Sequence, residues 1–255
     1  MKISKNKLKF IRSLNQKKQR DQNNVFLAEG PKLVEELLQV FPCQYLAATP
    51  EWLRLNSNSK AKEVVEVSIE GLKQGSLQQN PQQVLAIFEK PTYKIKLDKI
   101  KDSLCLALDD VQSPGNLGTI IRLADWFGIE DVFCSLHTAD VYNPKTVQAT
   151  MGALARVRVH YTPLEDLITK LDNHPIYGAF LEGKPIYNET LSQKGLIVMG
   201  NEGQGISKEI ESLITDKLYI PNYPENRKGS ESLNVAVASA IICAEFRRQA
   251  LCQQY

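Results

Sequence analysis

The sequence has few of the residues that metal centres and disulfide frameworks require. Its 255 residues include only 5 cysteines and 3 histidines. The cysteines form no CxxC pair and the histidines form no HExxH motif, so we expect no bound metal. Because the cysteines lie mostly in apolar runs, they are predicted to be buried thiols in a reducing compartment.

Long hydrophobic runs are also missing. No apolar stretch reaches the roughly 18–20 residues of a membrane span, and no basic and apolar segments combine as a signal peptide. A hydrophobic fraction of 43% and a charged fraction of 24% are typical of a soluble globular protein. These features predict a cytoplasmic protein that does not contact a membrane.

Charge is nearly balanced over the whole chain, with a formal net charge of +2, but it is unevenly distributed. Residues 1–20 contain no acid and eight basic residues: Lys2, Lys5, Lys7, Lys9, Arg12, Lys17, Lys18 and Arg20. Such a segment suits a polyanion, although a solvated face or a terminal tail would have the same composition.

Strand-like and helix-like segments alternate along most of the chain, which predicts an α/β protein with a mainly parallel sheet. A charged stretch at about residues 90–103 contains few large apolar residues. We therefore predict an N-terminal domain over residues 1–95 and a second domain over 102–255. In such sheets, ligands bind beyond the carboxyl ends of the strands.

The first strand-end loop lies in "SPGNLGTIIRLADWFG", residues 113–128. Gly115 and Gly118 form GxxG and are predicted to shape a tight turn before a helix over 116–127. Asn116 could be a helix N-cap, a position that asparagine favours, or a ligand contact. Arg122 lies in an apolar helical pattern, where a positive charge needs an anionic partner or a polar cleft.

Two later strand-end loops carry further polar residues. In "VMGNEGQGIS", Glu202 lies among three glycines and could be a general base, a charge partner for Arg122 or a turn residue. Before the last helix, Ser230 or Ser232 is predicted to be the N-cap. Asn234 is predicted to lie inside that helix, where a hydrogen bond to a ligand or a neighbouring loop would explain it.

These loops together resemble the SpoU, or TrmH-type, RNA ribose methyltransferases of the SPOUT superfamily. The resemblance covers about residues 104–250 through three motifs: "DDVQSPGNLGTIIRLADWFG", "LIVMGNEGQGIS" and "LYIPNYPENRKGSESLNVAVASAIICAEF". One departure is the loop at 222–230, whose nine residues are about four more than is usual in the family. Residues 1–90 resemble more loosely the small α/β substrate-binding module of these enzymes.

The resemblance implies a C-terminal parallel-sheet domain with a deep trefoil knot, joined to a small N-terminal α/β substrate-binding domain. It further implies a pocket for S-adenosyl-L-methionine around Gly200, Ile220 and Leu233. Enzymes of this family are generally homodimers, so a homodimer is expected.

The reaction that the resemblance implies is methyl transfer to a ribose 2′-hydroxyl of RNA. Arg122 would act on that hydroxyl, Asn116 would position Arg122 or the ribose, and Glu202 would orient Arg122 or a loop. Ser232 and Asn234 would bind the substrate or the first loop. Ribosomal RNA is favoured over transfer RNA, because the N-terminal module resembles that of ribosomal RNA modifiers.

Two other function classes fit parts of the sequence. A non-catalytic RNA-binding protein on the same scaffold would have no need for all five polar residues of the three loops. A nucleotide-dependent oxidoreductase would need the GxGxxG fingerprint and an acidic residue closing the first βαβ unit, and the sequence has neither.

Overall fold

The computed structural model describes residues 2–57, 60–224 and 231–252. Its strands are β1 (Val25–Glu29), β2 (Cys43–Ala48), β3 (Val64–Glu66), β4 (Val84–Glu89), β5 (Leu104–Leu108), β6 (Asp131–Cys134), β7 (Arg158–Tyr161), β8 (Ile176–Pro185), β9 (Gly195–Met199) and β10 (Asp216–Tyr219). Its α-helices are α1 (Lys5–Ser13), α2 (Lys17–Asn23), α3 (Pro31–Leu38), α4 (Pro50–Leu55), α5 (Ile69–Gly75), α6 (Leu97–Lys101), α7 (Pro114–Trp126), α8 (Pro144–Thr150), α9 (Leu164–Thr169), α10 (Lys208–Glu211) and α11 (Val235–Cys252).

The chain forms two compact units, and the first contains residues from two separate parts of the sequence. It combines the described residues of 1–92 with residues 140–155. Its four-stranded sheet has the order β1-β4-β2-β3, with β4 antiparallel to both of its neighbours. Helix α8 packs against the edge strand β1, whose five residues are all buried. The segment 140–155 therefore completes the core of this unit.

An ion pair inside the first unit ties the two parts together. The guanidinium of Arg20 is only 1% exposed and lies 2.6 Å from a carboxylate oxygen of Asp140. Arg20 also donates hydrogen bonds to the backbone carbonyls of Leu14 and Asn15. Although the basic N-terminal segment looks uniform in sequence, this one cation is part of the core.

The second unit, residues 93–139 and 156–252, contains one six-stranded sheet. The strand order is β10-β8-β9-β5-β6-β7 and every neighbouring pair is parallel. The central strands β5 and β9 are buried at every position, as the continuous apolar run at 104–108 predicts. The predicted α/β fold with a parallel sheet is confirmed.

The register of the two central strands positions the candidate site. Leu108 of β5 pairs with Met199 of β9, and the backbone N–H of Asp109 donates to the Met199 carbonyl. Both strands therefore end at the same height on the carboxyl edge of the sheet. The loops that follow them emerge side by side.

The helix after β5 begins earlier than the sequence pattern indicates. Helix α7 starts at Pro114, and the hydroxyl of Ser113 accepts a hydrogen bond from the backbone N–H of Asn116. Ser113 is thus the N-cap and Asn116 is not. Gly115 and Gly118 lie inside the helix, so the prediction that they shape the preceding turn is wrong. A serine cap followed by proline at the first helical position fixes this start.

None of the five cysteines forms a disulfide with a described residue, and four of them are buried: Cys43, Cys105, Cys134 and Cys243. Cys252, near the end of α11, is exposed, so the prediction of buried thiols fails there. Within the described ranges, no helix is long and apolar enough to cross a membrane.

Replacing Arg20 by methionine should destabilise the protein, because Asp140 would keep a largely buried charge without its partner. Breaking a buried ion pair from one side costs about 3–5 kcal/mol of unfolding free energy. Urea unfolding of Arg20→Met would measure the loss, with the exposed Lys18→Met as the matched control. An equal effect of the two substitutions would contradict the structural role of the pair.

Candidate functional site

The predicted site residues lie in three loops at the carboxyl edge of the parallel sheet and in helix α7, which follows the first of these loops. The first follows β5 and leads into α7, and the second, residues 200–207, follows β9. The third joins β10 to α11. Residues 225–230 of the third loop, including the alternative cap Ser230, lie outside the described residues.

Asn234 begins the last helix and does not lie inside it. Its side-chain oxygen accepts hydrogen bonds from the backbone N–H groups of Ala236, at 3.0 Å, and Val237, at 3.3 Å. The prediction that Asn234 is a mid-helix residue unexplained by capping is therefore wrong, and Ser232 is not the cap. Asparagine is a strong N-cap because its oxygen satisfies N–H groups that the first helical turn leaves free.

The amide nitrogen of Asn234 reaches the first loop. It donates a hydrogen bond of 3.2 Å to the side-chain oxygen of Asn116, so the predicted bond to a neighbouring loop is confirmed. The Asn116 amide nitrogen in turn donates to Oε1 of Glu202 over 2.8 Å. Asn234, Asn116 and Glu202 thus form one continuous chain, which we call the three-loop bridge.

The carboxylate of Glu202 is held as an anion by the first loop. Burial alone would raise its pKa, but hydrogen bonds from Asn116 and from the backbone N–H groups of Gln112 and Ser113 leave the pKa below its ordinary value. The Gln112 N–H lies 3.4 Å from Oε2. A carboxylate with a lowered pKa and several donors is a weak proton acceptor.

Arg122 stays outside the three-loop bridge. Its side chain is exposed, and it forms no hydrogen bond or ion pair with any residue that the structure describes. Glu202 therefore contacts the first loop and not Arg122, so it is not the charge partner that the sequence allowed. Ser232 is also exposed and has no side-chain hydrogen bond to the described residues. Both side chains are available to an external ligand.

The second loop folds back on itself so tightly that Gly200 must be glycine. Asn201 and Gly205 exchange two backbone hydrogen bonds of 2.9 and 3.0 Å. A Cβ at Gly200 would lie 2.3 Å from the carbonyl carbon of Gly205. The missing side chain therefore lets the backbone of Gly205 and Ile206 pack directly against the end of β9.

The other two predicted cofactor residues flank the third loop. Ile220, directly after β10, is partly buried, whereas Leu233, directly before the Asn234 cap, is 50% exposed. An exposed leucine beside an N-cap provides apolar surface that no part of the described fold covers. Among the described residues, no hydrogen bond joins Ile220 or Leu233 to Gly200.

Sequence reasoning missed two residues that hold the second loop in place. Buried Asp109 accepts hydrogen bonds from the N–H, at 2.8 Å, and the hydroxyl, at 2.7 Å, of Ser207. Asn201 donates to the backbone carbonyl of Asp110 over 2.8 Å. The available signal was an acidic pair directly after an apolar strand, where a buried carboxylate needs donors.

The part of the chain that the structure describes contains no group of three or more His, Cys, Asp or Glu side chains that could hold a metal ion. The polar groups of the site are the amides of Asn116, Asn201 and Asn234, the carboxylates of Asp109 and Glu202, serine hydroxyls and the guanidinium of Arg122.

Two family models match the chain. Residues 103–244 match the SpoU rRNA Methylase family, and residues 5–86 match a model described as MRM3-like substrate binding domain. The two matches together cover both of the regions that the sequence separates at about residues 90–103.

Individual relatives match over nearly the whole chain. The 23S rRNA (guanosine(2553)-2'-O)-methyltransferase RlmP of Bacillus subtilis is 31% identical over 94% of this chain and 96% of its own length. A solved structure from Porphyromonas gingivalis, described as an RNA methyltransferase of the TrmH family, is 42% identical, with a TM-score of 0.87 over 98% of this chain and 100% of that one. The SpoU methyltransferase AviRb of Streptomyces viridochromogenes, solved in complex with AdoMet, is 26% identical, with a TM-score of 0.83 over 97% and 99% of the two chains.

Replacing Gly200 by alanine should distort the second loop, because the new Cβ would overlap backbone atoms that cannot move independently. Overpacking of this kind typically costs about 1–3 kcal/mol of unfolding free energy. Gly203→Ala is the matched control, since a Cβ there would meet only the Asn201 side chain at 3.6 Å. Thermal unfolding and limited proteolysis should separate the two variants, and identical behaviour would contradict the tight packing at Gly200.

Proposed function

Because the chain belongs to the SpoU rRNA methylase family, we propose that it transfers a methyl group from S-adenosyl-L-methionine to a ribose 2′-hydroxyl in ribosomal RNA. The observation that supports this most strongly is the three-loop bridge, which holds the start of the helix that carries the exposed Arg122. Calorimetric titration of the full chain with S-adenosylhomocysteine tests the cofactor part of the proposal.

The proposed cofactor site is formed by Gly200, Ile220 and Leu233. The exposed Leu233 offers surface for an apolar or aromatic group, and the close packing of Gly205 against Gly200 holds the backbone at the end of β9 in place. When bound, the cofactor supplies an electrophilic methyl group on a positively charged sulfonium. The loops after β9 and β10 would exclude water from that group.

Arg122 is proposed to be the catalytic residue that contacts the RNA. A ribose hydroxyl is a poor nucleophile at neutral pH and has to be positioned in line with the methyl group. A guanidinium has a pKa above about 12 and does not act as a base. Arg122 would therefore grip the phosphate beside the target ribose and polarise the hydroxyl, and the proton would leave to that phosphate or to water.

Asn116, Glu202 and Asn234 are proposed to hold the first loop in the geometry that this contact needs. The donors that lower the pKa of Glu202 also make it an unsuitable proton acceptor for the reaction. Ser232, with its free hydroxyl, is proposed to donate a hydrogen bond to the substrate.

The N-terminal domain, residues 1–95, is proposed to bind RNA and the domain over 102–255 to perform the chemistry. The match of residues 5–86 to a substrate-binding model supports this division. Three of the eight early cations are engaged: Lys7 with Glu63, Arg12 with the carbonyl of Gln74, and Arg20 with Asp140. The exposed cations that remain are Lys2, Lys5, Lys9, Lys17 and Lys18.

A cytoplasmic homodimer with a trefoil knot is part of the same proposal. Trp126 of α7 is 83% exposed and Val237 of α11 is 49% exposed, and the two helices pack on each other. Apolar side chains of this size on adjacent helices favour burial against a second copy. Helix α11 follows the edge strand β10 but packs on α7, which follows the central strand β5. The chain therefore returns from the edge of the sheet to its centre, which supports a threaded last segment. Light scattering of the full chain tests the dimer.

Arg122→Ala should lower kcat for methyl transfer about 10²–10³-fold, the usual effect of removing one preorganised charged donor. Arg122→Lys keeps the charge but loses the planar fork, so we expect intermediate activity. The affinity for S-adenosylhomocysteine should not change in either variant. Near-normal turnover by Arg122→Lys would show that no bidentate grip is needed.

The exposed lysines of α1 should carry part of the salt dependence of RNA binding. Lys5→Gln with Lys9→Gln should reduce the slope of log affinity against log salt by about 1.4–1.8, since each phosphate contact contributes about 0.7–0.9. The control pair is Lys7→Gln with Lys62→Gln, which removes equal charge from lysines already paired with acids. Equal slopes for the two doubles would assign the effect to net charge alone.

A further inference from the structure

The carboxamide of Asn201, directly before Glu202, forms hydrogen bonds in two different directions. Its oxygen accepts hydrogen bonds from the backbone N–H groups of Gly203, at 2.8 Å, and Gln204, at 3.0 Å. Its nitrogen donates over 2.8 Å to the backbone carbonyl of Asp110, 91 residues earlier in the chain. One side chain thus closes its own turn and binds a neighbouring loop.

The acceptor of that cross-loop bond is itself held in place. Asp110 has a left-handed backbone conformation, with φ of +60°, and its N–H donates to the hydroxyl of Ser135 over 2.9 Å. That hydroxyl lies 3.1 Å from the hydroxyl of Thr138, which donates to the backbone carbonyl of Leu108. The carbonyl that receives the Asn201 amide therefore belongs to a rigid strand end.

Asn201 and Glu202 contact the first loop at two separated points. Asn201 binds its start at Asp110, and Glu202 binds the Asn116 side chain at the beginning of α7. Because the two residues are adjacent, the direction of the Glu202 side chain depends on how the backbone of Asn201 is fixed. The same backbone pairs with Gly205, whose own backbone packs against Gly200.

We infer that Asn201 is a positioning residue of the methyl transfer, which aims Glu202 at Asn116 and fixes the backbone around Gly200. This inference rests on the proposed function. The bonds of the Asn201 oxygen shape the turn at the proposed cofactor site. The bond of the Asn201 nitrogen aligns the second loop with the first, which leads into the helix that carries Arg122.

Two substitutions separate these contributions. Asn201→Ala removes all three bonds, whereas Asn201→Asp keeps the two acceptor bonds within the turn and loses the donor to Asp110. Gln204→Ala is the matched control, because the structure uses the backbone N–H of the exposed Gln204 and no hydrogen bond of its side chain. All three are made in the full chain.

The readouts are the affinity for S-adenosylhomocysteine, kcat for methylation of ribosomal RNA at saturating cofactor, and the affinity for that RNA. Asn201→Ala should weaken S-adenosylhomocysteine binding about tenfold and lower kcat about tenfold, as expected for a few net hydrogen bonds. Asn201→Asp should lower kcat similarly with a smaller loss of cofactor affinity. RNA affinity should be unchanged in both variants, which a general loss of structure would not produce.

The inference is overturned if Asn201→Ala matches the wild type or Gln204→Ala in both cofactor affinity and kcat. It is also overturned if RNA affinity and the unfolding temperature fall together with activity in both Asn201 variants, since the role would then be structural. Failure of the wild type to bind S-adenosylhomocysteine would instead overturn the proposed function itself.

Discussion

The site depends on the carboxamide of Asn116, which is bonded at both of its ends. Its nitrogen binds Glu202, 86 residues away in sequence, and its oxygen receives the amide of Asn234, 118 residues away. A carboxamide is suited to this position because it has a donor and an acceptor at a fixed separation. Aspartate there would present a second carboxylate to Glu202, and alanine would leave the donors and acceptors of two loops unpaired. Since α7 begins at Pro114, the same bonds also fix the direction of the helix that carries Arg122.

The polar residues of the site fall into two groups, one hydrogen-bonded within the protein and the other exposed without such bonds to described residues. Asn116, Glu202 and Asn234 are hydrogen-bonded to one another, so they hold the loops in place and provide one negative charge at a fixed position. Arg122 and Ser232 have no bonds to the described residues and face solvent. An exposed guanidinium on a helix whose start is held by hydrogen bonds is suited to binding a phosphate. Because the carboxylate of Glu202 is held by several donors, our proposal has the proton of the reaction leave through the substrate or water.

Much of the fold could be predicted from the sequence, because local patterns of apolar and polar residues indicate its strands and helices. The apolar run of β5 and the alternation of strands and helices indicated a parallel sheet, and the strand ends indicated where the site would lie. The start of α11 could not be predicted, because Ser230, Ser232 and Asn234 are all good caps and only tertiary bonds decide among them. Charge counting also could not distinguish Arg20, whose burial depends on Asp140 from a distant segment. The contact between Asn201 and Asp110 also joins distant segments. It pairs a side chain with a backbone carbonyl, and a pattern of residue types does not indicate such a bond.

The most direct test of the central claim is to map the methyl group that the purified chain transfers. Ribosomal RNA without its natural methylation would be incubated with methyl-labelled S-adenosyl-L-methionine and then cleaved with alkali. A 2′-O-methyl group blocks cleavage at its own ribose, so the account predicts label in one alkali-resistant dinucleotide, and far less of it with Arg122→Ala. Label on a base, or equal transfer by the wild type and Arg122→Ala, would contradict it.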